Sequence, residues 1–333
     1  MAILQAKQGI GDVIWHLPYI RAIAETSPNR TVSFLSLPSS HAREILEGES
    51  GIEQVLYYEH RGSELMRAWH FAGLVRLLRS HRFDTLWILD RSSRAALAGL
   101  LAGIPTRIGL GLGRQALFIS NRGIPGEYIH RHPLTWLDAL MDSMGVRLAT
   151  TEPNLQLPPA RLQRVGERFS QYERPWRVLA FGATAPKDWP ETSWLTFIAA
   201  LRAHASGTTF LIGGPAYTSR ARRALAETSG HDLVDACDLP LGDAAALIKL
   251  ADVFVGPDSG PMNISAAVGT TTFGLFGASP VLTYSSHIRP VRPDDGRPHA
   301  PDGMQFISPE RVLAEVTGRT SASQAEHGEP TLR

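Results

Sequence analysis

Short apolar runs rich in Ile, Leu, Val and Phe alternate along the chain with longer stretches of helical period. A run that is apolar throughout suits a strand covered on both faces, and an intervening helix is the crossover that parallel neighbours need. The pattern therefore predicts an α/β protein with parallel sheets and helices on both faces. In the first half, strands are expected near 2–6, 31–36, 53–58, 84–89 and 105–109, with helices near 12–25, 40–48, 62–80, 92–102 and 133–145. A proline-bearing stretch from Thr150 to Pro175, built around one short amphipathic helix, interrupts the alternation. It then resumes, with strands near 176–182, 208–213, 233–236, 252–255 and 271–276 and helices near 191–204, 217–228, 242–251 and 261–268. Two similar α/β domains facing each other are expected, 1–160 and 161–317, followed by a polar tail, 318–333, that lacks periodicity and is expected to be disordered.

Length agrees with this division, since 333 residues exceed the roughly 250–300 at which single cores stop growing. With 43% hydrophobic residues, 20% charged and a formal charge of +1, the composition is that of a globular protein and gives no support to nucleic-acid binding. Charge is uneven, however: residues 1–150 hold sixteen Lys and Arg against thirteen acids, so the first domain is mildly basic. The single cysteine, Cys237, excludes an intramolecular disulfide framework and a cysteine-based zinc site, which fits a reducing cytoplasm. The N-terminus shows no signal-peptide pattern and no stretch approaches 18 uninterrupted apolar residues, so the chain is expected to be cytoplasmic and not membrane-spanning.

Three loops fall between a strand and a helix, where open α/β sheets bind ligands. The first, Lys7-Gln8-Gly9-Ile10-Gly11-Asp12, lacks the third glycine of a dinucleotide fingerprint and the GK[ST] of a P-loop, and leaves Asp12 as either a helix cap or a catalytic carboxylate. The second, Phe181 to Trp194, sets Thr184 and Lys187 beside a helix start, where backbone N–H groups favour an anion, although a loop Lys can also be a solvated charge. Gly213-Gly214-Pro215 ends the next strand in a glycine-rich turn that could admit a base or ribose or be a plain turn. The third loop, Val255 to Asn263, puts Asp258, Ser259 and Gly260 at another helix start, as caps or as ligands of a phosphate or sugar. Gly109 to Arg114 reads as a turn. No Asp-x-Asp pair, H-E-x-x-H spacing or G-x-S-x-G elbow occurs, which weighs against metalloenzyme and hydrolase readings.

The ordered set KQGIGDVIWHLP, RAALAGLLAGIPTRIGL, PKDWPETSW, FLIGGP and DSGPMNISAAVGTTTFGLFGASP, over about residues 1–280, resembles glycosyltransferase family 9, the bacterial heptosyltransferases of lipopolysaccharide core assembly. That resemblance implies the GT-B architecture of two facing Rossmann-like domains, the acceptor on the first and the nucleotide-sugar donor on the second. It implies an inverting, metal-independent transfer without cofactor, with Asp12 as general base and ADP-heptose as the leading donor. Gly11, Thr184, Lys187, Gly213, Gly214, Tyr217, Asp258, Ser259, Gly260 and Asn263 match donor-binding positions. Two of these depart from the family, which commonly has His where Asn263 stands and an acid where Tyr217 stands. The acceptor implied is an anionic glycolipid or glycan, with Arg91, Arg94 and Arg114 as candidates to hold it and a peripheral contact with the inner face of the cytoplasmic membrane. Alternatives are a sugar-nucleotide epimerase of the same fold and a non-catalytic sugar-nucleotide-binding protein.

Overall fold

The structure, a computed structural model, describes residues 1–227, 232–282 and 284–318. The tail from 318 onward, expected to be disordered, lies outside the described residues except for Gly318. The chain divides into two compact units, Met1–Arg161 and Leu162–Arg333.

In the first unit, β1 (Ala2–Leu4), α1 (Ile10–Glu25), β2 (Val32–Ser36), α2 (Ala42–Ile45), β3 (Ile52–Tyr57), α3 (Glu64–Ser80), β4 (Thr85–Ile88), α4 (Ser93–Leu101), β5 (Thr106–Ile108) and α5 (Pro133–Met144) follow in order. The strands form one sheet in the order β3-β2-β1-β4-β5, parallel throughout, with Leu4 opposite both Leu35 and Ile88. Its central strands are buried end to end, which is why they read as uninterrupted apolar runs. Leu4, Leu35, Leu86 and Ile88 pack on one face against Leu74 and Leu78 of α3 and Ala95, Ala96 and Ala98 of α4.

The helix expected over 40–48 is a correction. A 3₁₀ turn over Pro38–Ser40 leads through His41, at φ 52, into only one turn of α-helix, α2. Pro38 starts the first turn, the left-handed His41 separates the two, and Gly48 lies so close to the backbone of Gln156 that a Cβ there would sit 2.3 Å from its carbonyl oxygen.

The second unit contains α6 (Pro159–Arg168), which spans the division, then β6 (Trp176–Ala180), α7 (Glu191–His204), β7 (Thr208–Ile212), α8 (Thr218–Glu227), β8 (Leu233–Asp235), α9 (Leu241–Leu250), β9 (Val253–Pro257), α10 (Gly260–Ala267), β10 (Thr271–Leu275), β11 (Ile288–Val291) and α11 (Pro309–Val316). Its sheet is also parallel, in the order β11-β10-β9-β6-β7-β8. Trp189, Trp194 and Phe197 pack edge to face over this sheet, and Trp189 Nε1 donates to the carbonyl of Ile307 at 3.0 Å.

The strand β11 and the helix α11 are additions to the expected elements. Arg289 and Pro290 of β11 are exposed, so this edge strand has no apolar run to announce it. By contrast α11 opens with a plain signal, Ser308 accepting from Arg311 N at 3.1 Å and Pro309 in the first turn.

In both sheets the strand order reverses beside the first strand of the unit, between β1 and β4 and between β6 and β9. Loops leaving the carboxyl ends of such a strand pair diverge to opposite faces and open a crevice.

Candidate active site

At the first of these crevices the chain leaves β1 through Gln5 to Gly9 and enters α1. Gly9 is the N-cap, extended at φ −89, and Asp12 is the third helical residue. The Asp12 carboxylate turns back on the loop: Oδ2 accepts from Gly9 N at 3.3 Å, and Oδ1 lies 3.2 Å from Lys7 Nζ. Both side chains remain about one-third exposed, at 32% and 36%. Asp12 therefore supports the helix start and also presents a carboxylate to solvent, so the two readings of it are compatible. Beneath it, His16 is buried with Nδ1 2.7 Å from Gln5 Oε1, and burial holds its imidazole down to about 3, hence neutral.

Across the same crevice stands Asp90, two residues beyond the end of β4 and only 6% exposed. Its Oδ2 accepts from Ala6 N at 2.5 Å and its Oδ1 from Ser92 N at 2.8 Å. Burial pushes this carboxyl above the usual range, against the pull of those two N–H groups and of Lys7. Gln115, fully buried, donates to the Asp90 carbonyl at 2.7 Å and accepts from Gly111 N at 2.9 Å. Gln8 Nε2 lies 3.0 Å from His60 Nε2, and Arg61 donates to Gln8 Oε1, so the loop after β3 also braces the first loop. None of Asp90, Gln115 and His60 was singled out from the sequence.

The three arginines proposed for an acceptor are not all in one place. Arg94 and Arg114 line a cleft of about 520 Å³ with Arg67, Phe71, Leu97 and Phe118. Arg91 is instead exposed and stacked 5.1 Å over the Trp136 ring.

The second crevice is built from the loops after β6 and β9. Lys187 Nζ donates to Asp258 Oδ2, tying the two loops together; Asp258 is 11% exposed and Lys187 38%. Thr184 is exposed and accepts through its carbonyl from Lys187 N at 3.1 Å. Ser259 is the extended N-cap of α10, Gly260 and Pro261 form its first turn, and Asn263 is 7% exposed. Ser259 Oγ and Asn263 Oδ1 are buried with no hydrogen-bond partner among the described residues. Two buried polar atoms at one helix start, lacking partners, are the expected residue of a site whose ligand supplies them.

Tyr217 sits differently from a free ribose contact. A Cβ at Gly182, whose φ is +82, would fall 2.0 Å from the Tyr217 ring, and one at Gly213 would lie 2.9 Å from Tyr217 Cβ. The ring thus occupies room left by two glycines, with Arg220 5.9 Å over it, while Gly214 makes the turn at φ +73.

Among the described residues no group of three or more His, Cys, Asp or Glu is arranged to hold a metal ion, and no helix is long and apolar enough to cross a membrane. A separate cavity of about 650 Å³, lined by Arg202, Gly207 and Asp232, lies at the amino ends of the strands and so at the edge opposite these loops.

Two Rossmann-like α/β units, each with polar loops at its strand-order reversal, make up the GT-B architecture. The family model for glycosyltransferase family 9 (heptosyltransferase) matches residues 71–294, and the chain belongs to that family. It is accordingly a glycosyltransferase. The fold is similar to E. coli ADP-heptose lps heptosyltransferase II at 22% identity and TM-score 0.76, over 96% of this chain and 98% of that one. It is similar to E. coli heptosyltransferase WaaC with ADP-2-deoxy-2-fluoro heptose at 17% identity and TM-score 0.74, over 96% and 100% of the two chains. A UDP-GlcNAc 2-epimerase from Neisseria meningitidis, bound to UDP-GlcNAc, shares the fold at 10% identity and TM-score 0.55, over 98% and 93%. No curated protein sequence matches the chain.

Proposed function

We propose that this glycosyltransferase moves a sugar, with heptose from ADP-heptose as the leading donor, to a lipopolysaccharide core or related glycan, with inversion and without a metal. The observation that carries the donor half is the crevice in which Lys187 and Asp258 meet beside the partnerless Ser259 Oγ and Asn263 Oδ1. Lys187 and the N–H groups opening α10 suit the charge that gathers on a departing diphosphate, and such preorganised donors act most strongly as that charge develops. Thr184, Gly214 and Gly260 would contact the donor, Gly213 would do so only through its backbone because Tyr217 fills its open side, and Tyr217 with Asn263 would set preference among nucleotides and sugars.

Asp12 is the proposed base. It takes the proton of an acceptor hydroxyl, the oxygen bonds to the anomeric carbon from the face opposite the diphosphate, and the bond to the diphosphate breaks with its electron pair. Gly11, beside it, would contact the donor through its backbone at the helix start. Asp12 with its Lys7 partner supplies a carboxylate held in one orientation and open to solvent. The first unit would then carry the acceptor and the second the donor. Arg94 and Arg114 in their cleft, with Arg91 nearby in sequence, suit an anionic acceptor. Leu65 and Trp69 on α3, 82% and 69% exposed, support contact with the membrane surface where such a glycolipid resides.

The test is incubation with ADP-heptose and a Kdo-lipid acceptor, reading ADP release and the anomeric configuration of the product. ADP release with an inverted linkage is expected. A free sugar nucleotide with an altered stereocentre, formed without acceptor, would replace this reading with epimerisation; donor binding without consumption across an acceptor panel would replace it with a binding protein.

A further inference from the structure

We propose that Asp90 is a positioning residue for transfer, clamping the loop that carries Lys7 and Asp12 to the end of the neighbouring strand. The inference rests on Asp12 being the base.

The geometry is that of a clamp across the crevice. Main-chain pairing of β1 with β4 runs out where Leu89 N donates to Leu4 O at 3.1 Å. Beyond that point the two chains diverge, and the next N–H of the β1 loop that turns toward β4, that of Ala6, finds the Asp90 side chain in place of a carbonyl. The other carboxylate oxygen closes a turn onto Ser92 N, so one buried side chain fixes both loops at their exits. Ala6 directly precedes Lys7, whose ammonium holds Asp12, so the placement of Asp12 is set through Ala6 and Lys7 by Asp90.

Asp90 itself is held from behind. Gln115 spans from the Asp90 carbonyl to Gly111 N, which prevents the β4 end from following the loop if the loop shifts. Burial disfavours a carboxylate here, near Asp12 and the Tyr58 phenol, and the N–H groups of Ala6 and Ser92 offset part of that cost. A loop turn alone could be made by Asn or Ser. What an Asn cannot do is accept from both Ala6 N and Ser92 N, since its amide nitrogen would face one of them.

The experiment compares Asp90→Asn and Asp90→Glu with wild type, each alone and with Asp12→Asn, reading melting temperature, and kcat and donor Kd at a temperature well below it. Asp90→Asn should lower kcat by about tenfold or more, since misplacement of a reacting group by about 1 Å can cost on the order of a hundredfold. Donor Kd should stay within about twofold, and Asp90→Glu, which restores both acceptors on a longer arm, should fall between Asn and wild type. Because Asp90 acts through Asp12, adding Asp90→Asn to Asp12→Asn should cost little more. A purely structural residue would lower melting temperature and leave kcat of the folded variant unchanged, and that outcome overturns the proposal, as does a full multiplication of the two losses. Should Asp90→Asn fail to fold, Asp90→Glu decides: a several-fold loss of kcat at unchanged donor Kd supports the clamp, and wild-type kcat refutes it. If Asp12→Asn keeps normal turnover, the base assignment itself is wrong; if only the Asp90 variants are normal, the clamp alone is.

Discussion

Lys187 and Asp258, 71 residues apart, join the loops after β6 and β9 through one ion pair at the strand-order reversal of the second unit. Asp90 and the N–H of Ala6 join the corresponding pair of loops in the first unit. Each sheet thus bridges the crevice at its strand-order reversal with a side chain from one loop reaching the other. Neither link is between neighbours in sequence, and each acts only because parallel pairing delivers two strand ends side by side.

The pairing makes Lys187 an oriented cation. Replacing it by Ala removes the cation nearest the proposed diphosphate and leaves Asp258, 11% exposed, without its partner. Donor Kd should rise and kcat fall, the latter because the lost interaction strengthens as leaving-group charge builds. Asp258→Asn should loosen Lys187 and show a milder version of the same defect. Calorimetric donor titration together with initial rates checks both. Donor affinity and turnover equal to wild type in Lys187→Ala would remove the phosphate assignment.

Chelation is the next test. With Lys187 and the start of α10 available to receive the diphosphate, activity should survive excess EDTA. Complete loss, restored by magnesium or manganese, would require a metal-bridged donor instead.

Stability of the second unit should depend on Trp189, which is fully buried against Trp194 and Phe197 and bonded to the Ile307 carbonyl. Trp189→Ala should destabilise by about 3–5 kcal/mol through cavity formation. Trp189→Phe, which mainly strands the Ile307 carbonyl, should cost about 1–3 kcal/mol. Denaturant melts followed by far-ultraviolet dichroism would separate the two.

Much of this architecture is legible in the sequence, and the reasons are local. Strands such as Val178 to Ala180 and Phe210 to Ile212 are buried on both faces, so they appear as apolar runs whatever their neighbours are. Helix starts with a polar cap and an apolar stripe are equally self-contained. Failures occur where the decisive partner is distant. The short α2 ends at Ile45, and Gly48, three residues further on, meets Gln156 in a contact across 108 positions that no window of sequence contains. Asp90 carries no helical or strand period and lies in a segment, LDRSSR, that reads as an ordinary turn; its role exists only through Ala6. The loops of Asp12, Lys187 and Asp258 were accessible because strand, glycine and helix start follow one another directly. The ion pairs that hold them were not. The Ser308-Pro309-Glu310 signature of α11 is by contrast local and plain in the sequence.

Acid should weaken the first unit through His16. Its imidazole is held at about 3 in the folded chain against 6.5 ordinarily, so between those values the unfolded chain binds a proton that the folded one refuses. This contribution is absent above about pH 6.5 and grows as pH falls toward 3, so stability declines with acidification. His16→Gln keeps a donor for Gln5 and removes the titration. Melting temperature plotted against pH should therefore fall less steeply in the variant between pH 6.5 and 4. Parallel curves would show that His16 takes up its proton without unfolding.

The most discriminating substitution is Asp12→Asn. It retains the shape of the side chain and an oxygen able to accept from Gly9 N, so the start of α1 should survive. It removes the negative charge that faces Lys7 at 3.2 Å and the carboxylate oxygens proposed to take a proton from an acceptor hydroxyl. Transfer should fall by about 10² to 10⁴-fold, the usual contribution of a positioned general base, with donor Kd and melting temperature near wild type. Asp12→Ala loses the bond to Gly9 as well and should add a stability loss of about 1 kcal/mol without a comparable further loss of rate. The contrast between the two separates the cap from the base. If Asn and Ala are alike in stability and both turn over normally at saturating donor and acceptor, Asp12 serves neither role, and the proton must leave through another group of the first unit.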